Sequence, residues 1–180
     1  MSLAFRKVLG QNGLKGAVRS WIRGRPTPEP GAPRVAASAR TSPNRDVRAL
    51  VVDDLPMNLI IMSWQLNQFG IVAQLATDGA EAIDLTRRMR FDIILMDLEM
   101  PVLDGLRATT RIRRFEQSQA LPPTPVVAYS CTTLDRTVLS TAGINGVLAK
   151  PCTVEELGDC MVRWCPGFAP SVRRARAKPA

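Results

Sequence analysis

The chain has no histidine and a single tyrosine, and aromatic residues make up only 5% of its 180 residues. The four cysteines, Cys131, Cys152, Cys160 and Cys165, form no C-x-x-C pair. Without histidine and without that pair, no familiar zinc spacing exists, and the thiols read as buried or idle groups in a reducing cytosol. No apolar stretch approaches the ~20 residues a membrane span needs, and the N-terminus lacks the continuous apolar core of a secretory signal. These absences predict a soluble, cytoplasmic protein. With 46% hydrophobic and 22% charged residues, the chain has material for one globular domain with appendages, not for two full domains.

Charge divides the chain into three parts. Residues 1–45 carry nine Lys/Arg against Glu29 alone, residues 46–168 carry eleven against fifteen acids, and residues 169–180 carry four against none. The basic character therefore belongs to the ends, around an acidic domain at 46–168. Residues 23–45, rich in Pro, Ala, Ser and Arg, read as a disordered linker. Ahead of them Leu14, Val18, Trp21 and Ile22 fall at helical spacing opposite Lys15, Arg19 and Arg23. That pattern predicts a short basic amphipathic helix, with a membrane or partner anchor, a weakly structured tail and a targeting peptide as its readings. The C-terminal PSVRRARAKPA reads as a solvated tail able to touch nucleic acid or acidic lipid.

Between the tails, strand and helix signals alternate. Strands are expected at 47–52, 71–76, 92–96, 125–130 and 146–150. Helices are expected from Leu59 to Phe69 with Gly70 as the stop, after Asp78 as N-cap, over roughly Leu106 to Phe115, and in LDRTVLSTAG and VEELGDCMVRW. Continuous rather than alternating apolar runs predict parallel strands covered on both faces, hence a doubly wound α/β sheet of five strands. Ligands of such sheets lie beyond the carboxyl ends of the strands.

The polar strand ends form a set. The first strand ends in Asp53 and Asp54, the third in Asp97, the fourth in Ser130, and the fifth in Lys150 followed by Pro151. Each residue alone has a plainer reading as a cap or turn. Carboxylates converging at one sheet edge repel unless a hard divalent cation holds them, and Mg2+ fits oxygen ligands that leave room for a phosphate. A carboxylate flanked by a metal, an ammonium and a hydroxyl is equipped to attack phosphorus, which predicts aspartyl-phosphate chemistry.

VVDD, LMDLEMPVLDG, VVAYS and LAKP occur in that order, and through them residues 46–165 resemble a two-component response-regulator receiver domain. The resemblance implies a flavodoxin-like sheet of order 2-1-3-4-5, with Asp97 as phosphoacceptor. It implies Mg2+ held directly by Asp54, Asp97 and the backbone carbonyl of Glu99, with Asp53 helping through water. Ser130 and Lys150 would hold phosphoryl oxygens, Lys150 pairing with Asp97 beforehand. Met100 and Pro101 would shape the loop, Asp104 and Gly105 would open the next helix, and Lys150-Pro151 would be cis. DDLPMN, with Asn58 opening the first helix, is similar to receivers attached to hybrid histidine kinases, which implies a phosphorelay. The commonly aromatic switch position is Val147, Tyr129 is not at that position, and Cys131 and Cys152 each follow a site residue, which opens a redox-sensitive option.

The expected function is a stand-alone receiver that is no enzyme beyond its own phosphorylation and dephosphorylation. It takes its phosphoryl group from a histidine kinase or histidine phosphotransfer protein, because a chain without histidine is neither. No output domain is expected after residue 165, so signalling passes through protein contacts with a downstream partner or a homodimer. Two alternatives differ in class. One is a basic adaptor binding membrane or nucleic acid through its tails under receiver control. The other is an aspartate-nucleophile phosphohydrolase of the haloacid-dehalogenase type, disfavoured because Asp97-Leu98-Glu99 replaces D-x-D and lies on the third strand.

Overall fold

Three short runs of aliphatic side chains set the architecture. The computed structural model describes Asn44 and residues 46–132, 135–165 and 167–170. Strands β1 (Ala49–Val52), β3 (Ile93–Met96) and β4 (Val126–Ser130) are buried at every position, as strands covered on both faces must be. β2 (Gln74–Ala76) and β5 (Gly146–Ala149) close the sheet, whose five parallel strands take the order β2-β1-β3-β4-β5. The strand order reverses between β1 and β3, so a crevice opens beyond their carboxyl ends.

Five helices return the chain antiparallel to the strands: α1 (Pro56–Gln68), α2 (Gly79–Arg88), α3 (Gly105–Ser118), α4 (Arg136–Ala142) and α5 (Val154–Trp164). α1 packs on α5, and α2, α3 and α4 pack in succession. Local chemistry fixes where they start. Asp78 accepts from the Glu81 N–H at 2.8 Å while the Glu81 carboxylate accepts from the Thr77 N–H at 2.8 Å. Thr153 and Glu156 form a full capping box at α5. Asp104 caps α3 through the Arg107 N–H at 2.7 Å, the role expected of it.

Two boundaries differ from the sequence reading. α1 begins at Pro56, three residues before Leu59, because proline at the first helical turn has no N–H to leave orphaned. β2 begins at Gln74 rather than at 71. The Ile71 N–H is spent on the Leu66 carbonyl at the end of α1, so the apolar run starts as a helix terminus and not as a ladder. Gly70, with φ of 81°, makes that stop, as expected.

The candidate N-terminal helix and both basic tails, apart from Asn44, Ala169 and Pro170, lie outside the described residues. The domain border does have a described structure. Buried Asn44 donates to the carbonyls of Phe69 at 3.1 Å and Ala169 at 2.7 Å and accepts from the Ala169 N–H at 2.7 Å. Phe168 meets Phe69 edge to face at 5.3 Å. Among the described residues, no helix is long and apolar enough to cross a membrane.

Candidate functional site

The register brings the acids together. Val52 pairs with Met96, so the next residues, Asp53 and Asp97, leave adjacent strands side by side. The Asp97 N–H still bonds the Val52 carbonyl at 2.9 Å, and the Asp53 N–H bonds the Ala76 carbonyl at 3.1 Å. The backbone therefore stays in ladder geometry up to the carboxylates and fixes their direction. Asp53 is fully buried, Asp97 is 5% exposed, and Asp54 is half-buried toward the crevice. One oxygen from each of Asp53, Asp54 and Asp97 lies within 4.8 Å of the others.

Lys150, delivered by β5, compensates the two buried acids. Its ammonium stands 2.6 Å from Asp53 Oδ2 and 2.8 Å from Asp97 Oδ2. The pairing with Asp97 was legible by resemblance; the shorter one, with Asp53, was not. Burial pulls the Lys150 pKa down, but the hydrogen bonds and charges of Asp53 and Asp97 outweigh it and leave the ammonium harder to deprotonate than an ordinary lysine. Asp97 moves the other way. Burial, reinforced by the Asp53 charge, raises its pKa against the opposing hydrogen bonds from Lys150 and the Glu99 N–H. The ammonium also lies 5.0 Å from the ring centre of buried Tyr129, a cation–π contact that sets a wall beneath it.

Asp53 is saturated. Besides Lys150, it accepts from the Leu55 N–H at 2.9 Å and from Asn58 Nδ2 at 3.0 Å to each oxygen. Asn58 sits inside α1 rather than opening it, since Leu55 is the N-cap. The sequence signal for this contact was the five-residue spacing, which returns a helix side chain over the acid that precedes its cap.

Glu99 and Ser130 meet through Thr132, which the sequence reading did not single out. The Thr132 N–H donates to Ser130 Oγ at 3.1 Å, and its hydroxyl donates to the Glu99 carboxylate. The loops after β3 and β4 are thereby tied together above Asp97. Below it, Gly105 leaves no room for a side chain: a Cβ there would lie 2.1 Å from the Asp97 carbonyl oxygen. The Lys150-Pro151 bond is cis, and the following Cys152 carbonyl accepts from Gln65 Nε2 of α1 at 2.7 Å. Val147 stands on β5 opposite Ala128 and is 53% exposed. Cys131 is exposed, whereas Cys152 is buried and its thiol pKa is pushed up by burial, which disfavours the thiolate that redox chemistry requires.

The donor set is entirely oxygen, from carboxylates on two adjacent strands, with a half-buried member facing the crevice. Such a set fits a hard divalent cation and offers nothing to a soft one.

The response regulator receiver domain family matches residues 49–161, and the chain belongs to that family. Over 124 residues it is 34% identical to the signal transduction histidine-protein kinase BarA of Escherichia coli K12, covering 69% of this chain and 13% of that protein. The chain thus corresponds to a small part of such relatives. Among solved structures it is similar to the receiver domain of the sensor histidine kinase PA1611 from Pseudomonas aeruginosa, determined with a magnesium ion coordinated in its active-site cleft. That likeness has 36% identity and a TM-score of 0.58, covering 66% of this chain and 96% of that one. It is also similar to a chain of the Saccharomyces cerevisiae co-crystal of the histidine phosphotransfer protein Ypd1 and the receiver domain of its downstream response regulator Ssk1. There the identity is 28% and the TM-score 0.63, covering 67% of this chain and 90% of that one.

Proposed function

We propose that the chain accepts a phosphoryl group on Asp97 from a histidine kinase or a histidine phosphotransfer protein, in a magnesium-dependent reaction, and signals through protein contacts. The observation that carries the reading is the placement of one buried carboxylate, Asp97, between an ammonium it already contacts and a second acid with no freedom to compete for it. Asp53 is locked by Asn58, Leu55 and Lys150, so of the two buried acids Asp97 is the one left to act as nucleophile.

An Asp97 oxygen forms its bond to phosphorus as the bond from phosphorus to the donor imidazole nitrogen breaks. The electron pair stays with the imidazole, which takes up a proton from solvent. Asp54, Asp97 and the Glu99 carbonyl would hold magnesium, with Asp53 helping through water, and the ion would supply positive charge to the phosphoryl oxygens. Lys150 turns from the Asp97 carboxylate to a phosphoryl oxygen, and the Ser130 hydroxyl donates to another. Because Ser130 and Glu99 share Thr132, engagement of Ser130 is transmitted to both loops.

The donor would dock beside the site on α1, which contains no charged residue and exposes Met57, Ile60, Ile61 and Trp64. An uncharged apolar helix face next to the nucleophile suits a protein donor better than a small anion. The test is incubation with magnesium and acetyl phosphate, comparing the chain with Asp97→Asn by intact mass. One added phosphoryl group in the wild type and none in the variant is expected; no addition to the wild type, or equal addition to both, refutes the assignment.

A further inference from the structure

Successive residues of β4 point to opposite faces of the sheet. Ala128 joins the core built with Ala82, Ile112 and Leu139 of α2, α3 and α4, and it pairs with Val147 of β5. Tyr129, the next residue and the only tyrosine of the chain, is buried on the other face. Its ring faces the Lys150 ammonium, 5.0 Å from the centroid, while its hydroxyl meets the Cys152 thiol in a side-chain hydrogen bond. Burial first, and Cys152 next, push the hydroxyl pKa up to about 12, so that it stays a donor. The Cys152 thiol donates in turn to Gln65 Oε1 of α1 at 3.6 Å, and Gln65 Nε2 donates back to the Cys152 carbonyl at 2.7 Å.

Gln65 is the polar member of the buried set on α1, beside Leu59, Met62 and Leu66. A buried amide is costly unless it is bonded, and a methionine of similar length would fill the same space without that cost. What the amide adds is direction: it ties α1 to the segment that follows Lys150 at both the thiol and the carbonyl of Cys152. A continuous line of contacts therefore runs from the ammonium at the site, through the Tyr129 ring and hydroxyl and the Cys152 thiol, to the buried side of α1. Val147, paired with Ala128 and half exposed, has neither a ring nor a hydrogen-bonding group with which to form such a line.

We infer that Tyr129 is a positioning residue that holds the Lys150 ammonium in its place between Asp53 and Asp97 and, through Cys152 and Gln65, reports the departure of that ammonium to α1. The inference rests on the reading of Asp97 as phosphoacceptor. Before transfer, the ring and the two carboxylates fix Lys150 on three sides. After transfer Lys150 turns to a phosphoryl oxygen and the ring loses the cation it faced. The other end of Tyr129 is bonded, so its adjustment passes along the hydrogen bonds to Gln65. The helix proposed to receive the donor is thus also the helix that registers that transfer has taken place.

Because the chain has a single tyrosine, carbon-13 tyrosine labelling of the full chain gives one ring spectrum. Magnesium with beryllofluoride, a phosphoryl mimic, is expected to shift that spectrum and the backbone amide signals from Met62 to Asn67 in the wild type, and neither in Asp97→Asn. In Gln65→Met, and equally in Cys152→Ala, the tyrosine shift persists while the α1 shifts are lost, and Gln65→Met takes up phosphate from acetyl phosphate at the wild-type rate. Tyr129→Leu, which removes the ring, is expected to slow that uptake about tenfold, the scale of a desolvated cation–π contact, and Tyr129→Phe, which keeps the ring, to restore most of it. If the wild type gains no phosphoryl mass from acetyl phosphate, the reading of Asp97 fails and the inference with it. If mass is gained, the inference alone is overturned by an unmoved tyrosine spectrum, by α1 shifts that survive in Gln65→Met, or by equal uptake in Tyr129→Leu and wild type.

Discussion

The Lys150 ammonium bridges two carboxylates, 2.6 Å from Asp53 and 2.8 Å from Asp97, and so neutralises half of a buried double charge. Removing it leaves both acids facing each other without a counter-charge. Lys150→Met is expected to lower unfolding free energy by about 3 kcal/mol, the usual cost of breaking a buried pair from one side. Adding Asp53→Asn should return part of that loss, because only one acid then remains. Urea denaturation of the single and double variants checks this; a double variant less stable than Lys150→Met would show that Asp53 does not repel Asp97.

Gly105 makes the second prediction. Its missing Cβ would sit 2.1 Å from the Asp97 carbonyl and 2.9 Å from Met96 Cγ, and the first of these is backbone that cannot step aside. Gly105→Ala should destabilise the domain by about 2 kcal/mol or more through overpacking, against the usual gain of alanine over glycine in a helix. A variant as stable as wild type in the same denaturation assay would mean that α3 shifts freely, and with it Asp97.

Trp64 separates the donor from the chemistry. It lies on α1 and is exposed, and none of the hydrogen bonds and ion pairs described for the acids and Lys150 involves it. Trp64→Ala is expected to slow phosphoryl transfer from a histidine phosphotransfer protein tenfold or more, in the range of an interface hot spot, and to leave the rate with acetyl phosphate unchanged. Equal slowing with both donors would place its effect in the fold rather than in docking.

Alkaline pH should weaken the fold. Burial pushes Cys160 and Cys165 up to about 11 from 9.0, and Tyr129 up to about 12 from 10.0. Above about pH 9 the unfolded chain releases protons that the folded chain still binds, so stability falls as pH rises. This contribution is fully present below the unfolded values and is lost as pH climbs through the folded ones. Urea midpoints measured from neutral pH to about pH 11 should fall steadily, and less steeply in Cys165→Ala; flat midpoints would contradict the burial of these groups.

The acids were legible because each follows an apolar run directly: Asp53 after ALVV and Asp97 after IILM leave little doubt where the strands end. Their partnership was legible once the strands were taken as parallel. What stayed hidden depended on three-dimensional neighbours. That Lys150 reaches Asp53, three strands away in the sheet, follows from the depth of the crevice and not from any spacing. Thr132 gained its place only because the loops after β3 and β4 rise together. Ile71 to Ala73 looked like strand because they are apolar, yet Ile71 and Ala73 are apolar for burial while Val72 stands exposed, and the Ile71 N–H is used to end α1.

The bond between Asn44 and Ala169 turns the domain into a cassette. A unit whose entry and exit share one doorway is easily spliced into a longer polypeptide, since the host chain need only be cut and rejoined at a single point. The matched segment occupies 13% of BarA, the share of one small module within a much longer chain.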